Sequence, residues 1–200
     1  MDFQATSWQE EPAPPHAINC SNCELAGQRT RVIWGEGNPQ ASVLILLDNP
    51  GERENRDGEP YVCGTRQTLQ KAAWEAGFTE NDLYVTYLLK CRPKRAYNKE
   101  KARAACREHL QLQLDQKLPR FIFCLGNTAV QSFLGNPEAE VKELRGTWLE
   151  ADGRHLLLVS YHPLAVRRRP NLYPRFAADW KMLFDRYRQE HAGTGALTNK

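Results

Sequence analysis

Four short apolar runs divide the chain, and each is closed by a turn-forming or polar segment. Ala41-Ser-Val-Leu-Ile-Leu-Leu47 is nearly continuous and stops at Asp48-Asn-Pro-Gly51. A run of that length without polar alternation suits a parallel strand buried on both faces and followed by a tight loop. Leu83 to Leu89, Arg120 to Leu125 and His155 to Ser160 repeat the pattern; Gly126 closes the third and Tyr161-His162-Pro163 the fourth. Helical spacing fills the intervals. Leu69, Ala72, Ala73 and Ala76 predict a helix over 66–76 that Gly77 stops. Residues 99–117 and Thr128 to Leu134 read as helices, the latter ended by Gly135, and 174–189 carries Phe176, Trp180, Leu183, Phe184 and Tyr187 along one face. Strands alternating with helices predict an α/β fold, a three-layer αβα sandwich around a four-stranded, mainly parallel sheet.

Ligands in such sheets bind beyond the carboxyl ends of the strands. The polar residues at those ends are Asp48 and Asn49 after the first strand, Tyr87 near the end of the second, Gly126 and Asn127 after the third and His162 after the fourth. Length adds one domain: 200 residues hold one core, expected over 18–190. The acidic, Pro-bearing residues 1–17 are expected to be a flexible N-terminal tail, and 191–200 a flexible C-terminal one. No apolar run reaches the roughly 18 residues of a membrane span, and no signal stretch opens the chain. A cytoplasmic monomer with no membrane partner is the expectation.

Net charge is only +3, but it is uneven. Arg92, Lys94, Arg95, Lys99, Lys101, Arg103 and Arg107 crowd one region, and Arg167, Arg168, Arg169 and Arg175 another. Such clusters can neutralise phosphates; either taken alone can equally be solvated surface. Six cysteines stand at positions 20, 23, 63, 91, 106 and 124. Without a secretion signal, disulfides are not the expectation, and the Cys20-x-x-Cys23 pair points to ligation. Cys91, after a strand, and Cys106, in the following helix, complete a set of four thiolates. Such a set holds zinc or an iron–sulfur cluster, and spacing does not choose between them. Cys124 reads as a small core residue.

The ordered motifs carry a resemblance. Cys20-x-x-Cys23 is followed by Leu47-Asp-Asn-Pro-Gly51, Gly58-Glu-Pro-Tyr-Val62, Tyr87-Leu-Leu-Lys-Cys-Arg-Pro93, Cys106, Leu125-Gly126, Arg145-Gly146 and His162-Pro163-Leu164. In order and spacing this resembles the family 4, iron–sulfur class of the uracil-DNA glycosylase superfamily, over about Cys20 to Tyr187. The resemblance implies a 4Fe–4S cluster on Cys20, Cys23, Cys91 and Cys106, and DNA as partner. Cleaving a deoxyribose–base bond requires the base to leave the stack. Tyr61 matches the family's stacking Phe. Asp48 stands where the family has Glu and would act on the sugar side. His162 matches the family's His and would stabilise the departing base, which is oxyanion-type help. Arg167, Arg168 and Arg169, in a loop over 163–170, would contact phosphates or the minor groove. Each has a plainer reading without the family: Asp48 as a turn former, Tyr61 as a core aromatic, His162 as an idle loop residue.

Four departures fall near the pocket. Asp48 is shorter than Glu by one methylene, and Asn49 replaces a small residue. Cys63-Gly-Thr-Arg66 replaces GxAG, and Tyr87 takes the place of the Asn that reads uracil. A Tyr hydroxyl does not reproduce the paired donor and acceptor of an amide. The expectation is therefore a monofunctional DNA glycosylase acting on a flipped-out, altered base. The example is glucosylated 5-hydroxymethylcytosine in phage defence, a role some relatives have. Asn49, Tyr61 and Tyr87 are the base-binding residues of that reading. An ordinary uracil-DNA glycosylase of base-excision repair, a non-catalytic DNA-binding relative and a zinc-stapled α/β protein unrelated to DNA stay open.

Overall fold

The computed structural model describes residues 3–56, 62–151 and 153–194. Its strands are β1 (Glu10–Glu11), β2 (Gly35–Gly37), β3 (Val43–Leu47), β4 (Leu83–Tyr87), β5 (Phe121–Leu125), β6 (Leu149–Ala151) and β7 (His155–Ser160). Its α-helices are α1 (Pro15–Ile18), α2 (Gly64–Ala76), α3 (Lys99–Lys117), α4 (Asn127–Leu134), α5 (Val141–Leu144), α6 (Pro163–Arg168) and α7 (Tyr173–Thr194). The strands form one sheet in the order β1-β2-β4-β3-β5-β7-β6.

The four strands legible as apolar runs are the middle of that sheet. β4, β3, β5 and β7 pair in parallel, Val43 facing Leu83 on one side and Phe121 on the other. The expected four strands are corrected to seven, because β1, β2 and β6 add antiparallel edges. These are two or three residues long, too short for a period to mark them. They also cap a parallel sheet whose bare edges would otherwise present unpaired backbone groups.

Alternation within the buried strands sends side chains to two cores. Val43, Ile45, Val85, Phe123 and Leu158 meet Leu69 and Ala73 of α2, Val166 of α6, and Phe176, Trp180 and Leu183 of α7. Leu44, Leu46, Ile122, Leu157 and Val159 meet Leu110 and Leu114 of α3, Val130 of α4 and Val141 of α5. That is the expected three-layer arrangement. Cys124 lies in the second core, fully buried.

Two expectations change. The segment read as an N-terminal tail is tied down: Thr6 exchanges hydrogen bonds with the Gln70 amide, Trp8 packs on the first core, and Glu10–Glu11 pairs with β2. The 163–170 loop is a helix, α6, begun by Pro163, whose fixed φ favours a first turn. A 3-10 turn, Pro170–Leu172, follows it. At the other end α7 continues to Thr194; 195–200 lie outside the described residues. No described helix is long and apolar enough to cross a membrane.

Candidate active site

The carboxyl ends of β3, β4, β5 and β7 open into a cavity of about 370 Å³. Asp48, Asn49, Glu54, Cys63, Arg66, Tyr87, Gly126, Asn127 and His162 are in its wall. The structure thus brings together Asp48, Asn49, Tyr87 and His162 from the ends of separate strands. Tyr61 lies outside the described residues.

Asp48 follows β3, and its carbonyl accepts the Leu89 N–H at 3.0 Å, which fixes the backbone against the end of β4. Its Oδ1 is buried with no hydrogen-bond partner among the described residues. Burial raises the carboxyl's pKa, and Arg103 and Lys99 on α3 pull it back. A buried acceptor left open is costly unless a ligand or water meets it.

His162 is the N-cap of α6. Its Nδ1 accepts the Leu164 N–H at 3.1 Å, so in the neutral ring the proton belongs to Nε2. Burial, with the Arg66 cation nearby, lowers its pKa to about 4. At neutral pH the ring is therefore an uncharged N–H donor. Gly126 makes room for it: φ there is +99°, and a Cβ would stand 2.9 Å from His162 Cβ.

Tyr87 is wholly buried, and its hydroxyl accepts the Arg66 Nη2–H at 2.7 Å. Arg66 also pairs through Nε with Glu36 of β2. Asn49 turns its amide onto the Pro50 carbonyl at 2.9 Å, which shapes the turn. Glu54 was not singled out from the sequence, and Arg66 entered only as the end of the Cys63-Gly-Thr-Arg66 departure, without a role. Arg66 had a signal: with Leu69, Gln70 and Ala73 it follows helical spacing, and all four are buried, so a charge sits on an apolar helix face.

Arg167, Arg168 and Arg169 are exposed at the end of α6. The Arg167 guanidinium lies over Gly64 at the start of α2, where a Cβ would meet it at 2.3 Å. Arg167 therefore sits beside the helix that supplies Arg66.

Away from the cavity, Cys20, Cys23, Cys91 and Cys106 line a single small hollow with Arg29, Lys90 and His109. All four are free thiols. Burial pushes Cys91 up to about 11 and raises Cys106 as well, with neighbouring thiols contributing to both. Arg29 Nη1 reaches Cys91 Sγ at 3.7 Å. Lys90 donates to Thr86 Oγ1 at 2.7 Å and the Tyr87 carbonyl at 2.8 Å. Four sulfurs beside the Arg29 guanidinium in an apolar hollow suit a negatively charged tetrathiolate group. Among the described residues, no three His, Cys, Asp or Glu are arranged to hold one metal ion. A four-iron cluster asks for a wider cage, since each thiolate binds its own iron.

Residues 34–184 match the family model described as the uracil DNA glycosylase superfamily. A type-4 uracil-DNA glycosylase of Pyrobaculum aerophilum is 32% identical over 174 residues, covering 83% of this chain and 88% of that protein. One from Archaeoglobus fulgidus is 30% identical over 174 residues, covering 83% and 87%. One from Sulfurisphaera tokodaii is 28% identical over 181 residues, covering 86% and 82%.

Proposed function

The chain belongs to the uracil-DNA glycosylase superfamily and is a DNA glycosylase, and from that premise we propose that it is monofunctional and hydrolyses the bond to a flipped-out base other than plain uracil. One observation carries the reading: an open buried carboxylate oxygen on Asp48 and a neutral ring donor on His162 share one cavity at the strand ends.

Bond breaking leaves positive charge on the sugar and negative charge on the base. Asp48, ionised, offsets the first and orients the attacking water. His162 Nε2–H donates to an oxygen of the departing base and offsets the second. The water's oxygen forms the new bond to the sugar as one of its protons passes to Asp48. The base leaves as an anion with the bonding pair and is then protonated from solvent. Asp48 gives its proton back to solvent, and an abasic site remains. None of the described residues lining the cavity is a Lys that could form a Schiff base with the sugar, which supports base release without strand cleavage. The exposed Arg167, Arg168 and Arg169 hold phosphates near the cavity, and Asn49 shapes the turn that carries Asp48.

Cys20, Cys23, Cys91 and Cys106 are the residues that would hold a 4Fe–4S cluster, as the type-4 resemblance implies. Bound there, it acts as a clamp between the N-terminal segment, the stretch after β4 and α3.

The base is the finer part of the proposal. Tyr87, where the family reads uracil with Asn, is buried and engaged by Arg66, which supports an altered target. Glucosylated 5-hydroxymethylcytosine, with phage defence as its setting, is the outer arm of this reading. Plain uracil is the second reading, favoured by the relatives being type-4 uracil-DNA glycosylases. An excision screen separates them. Matched oligonucleotides would carry uracil, hypoxanthine, xanthine, 5-hydroxymethyluracil or glucosylated 5-hydroxymethylcytosine. The proposal expects an altered base to be released faster than uracil; uracil as the best substrate overturns it in favour of the second reading.

A further inference from the structure

Arg66 is a charged cavity residue that the family's chemistry leaves without a task. Its side chain is 5% exposed. Nε pairs with Glu36 and Nη2 donates to Tyr87 Oη. Nη1 is buried and has no partner among the described residues. A guanidinium carries five N–H donors, and one left open inside a protein costs more than a neutral donor would. Arg66 lines the same cavity as Asp48 and His162. The charges acting on Asp48 come from Arg103 and Lys99, whereas Arg66 acts on His162. Its hydrogen bond to Tyr87, which stands where the family's base-reading Asn stands, puts Arg66 on the base side of the cavity rather than the sugar side.

We infer that Arg66 reads the base: its Nη1–H donates to an exocyclic carbonyl oxygen on the base edge away from the sugar, while Tyr87 is a positioning residue that holds the guanidinium in place. This rests on the glycosylase reading and narrows its substrate class to bases with an oxo group at that edge, such as uracil derivatives, hypoxanthine and xanthine. It counts against the glucosylated 5-hydroxymethylcytosine arm, whose edge carries an amino group. A cation there also gains in strength as the base becomes an anion, because its charge is already fixed before the bond breaks.

Binding tests this without turnover. Single-stranded oligonucleotides would carry 2′-fluoro-2′-deoxyuridine, 2′-fluoro-2′-deoxycytidine or a tetrahydrofuran abasic analogue; the fluorine disfavours the cationic sugar and blocks cleavage. The parent is expected to bind the uracil strand about tenfold or more tighter than the cytosine strand. Arg66→Lys should reduce that ratio toward one. The neutral pair Glu36→Gln with Arg66→Gln, which strands no buried charge, should do the same, with melting temperature and visible absorbance confirming the fold. Tyr87→Phe, which leaves Arg66 in place but frees its Nη2, should lower the ratio partway while leaving binding of the abasic strand unchanged. A parent ratio that persists in both Arg66 variants overturns the inference and leaves the glycosylase reading standing. A parent that treats all three strands alike overturns it too; base release in the excision screen then tells whether the wider reading survives.

Discussion

At the scale of single residues, the account turns on two groups whose ordinary titration is displaced. Asp48 is held above the usual carboxylate value by burial, so its folded form is penalised once the carboxyl ionises. The folded pKa exceeds the unfolded one of about 3.9, so the penalty is absent below that pH and grows as pH rises through the folded pKa. Asp48→Asn is therefore expected to abolish base release while raising the melting temperature at neutral pH, by about 2–4 °C for each kcal/mol relieved. The gain should fade when the melts are repeated below a pH of about 3.9; an unchanged or lower melting temperature at neutral pH counts against an uncompensated carboxylate. His162 has its pKa lowered to about 4, so it is neutral throughout the physiological range. The pH dependence of kcat/KM reports the free enzyme. It should rise from acid as His162 loses its proton and Asp48 ionises, with no step belonging to His162 near the ordinary histidine value of about 6.5. A clear inflection there that disappears in His162→Gln contradicts the neutral-donor role.

At the scale of elements, α6 is the piece to probe, because it joins His162 at its N-cap to three arginines at its end. Replacing Arg167, Arg168 and Arg169 together with Gln should weaken binding to every duplex. The slope of log K against log salt should flatten by about 0.9 for each phosphate that the protein no longer neutralises. An unchanged slope removes these arginines from the interface. The four central strands and the long helices were legible because burial on both faces leaves continuous apolar runs, and helix packing leaves 3.6-residue spacing. α3 has the bounds its pattern predicted, Lys99–Lys117. The edge strands were not legible: Gly35–Gly37 has no apolar side chain, and its pairing with Val85 and Tyr84 is a backbone event. α6 was hidden because its six residues include a proline and two arginines, which read as a loop. In the site, Asp48 and His162 were visible from their places at strand ends. Tyr87 was visible too, but its partner was not, since a hydrogen bond between residues 21 apart leaves no local trace.

At the scale of the whole molecule, the thiol hollow and the cavity meet through Lys90, which lines the first and holds the carbonyl of Tyr87 from the second. Protein purified without oxygen should be brown, with iron and sulfide in equal amounts. Cys91→Ala should lose the colour and part of the fold, and with them activity. Cys124→Ala, in the core away from the hollow, should keep the colour. A colourless, zinc-loaded and fully active protein is the contrary result. The central claim is that Asp48 and His162 act on opposite sides of one glycosidic bond. Its most direct test is single-turnover base release by the parent, Asp48→Ala and His162→Ala on the best substrate of the excision screen. The account predicts abasic sites from the parent and a slowing of about 100- to 1000-fold in each variant, with colour and melting transition retained. Release at the parent's rate by either variant would contradict it.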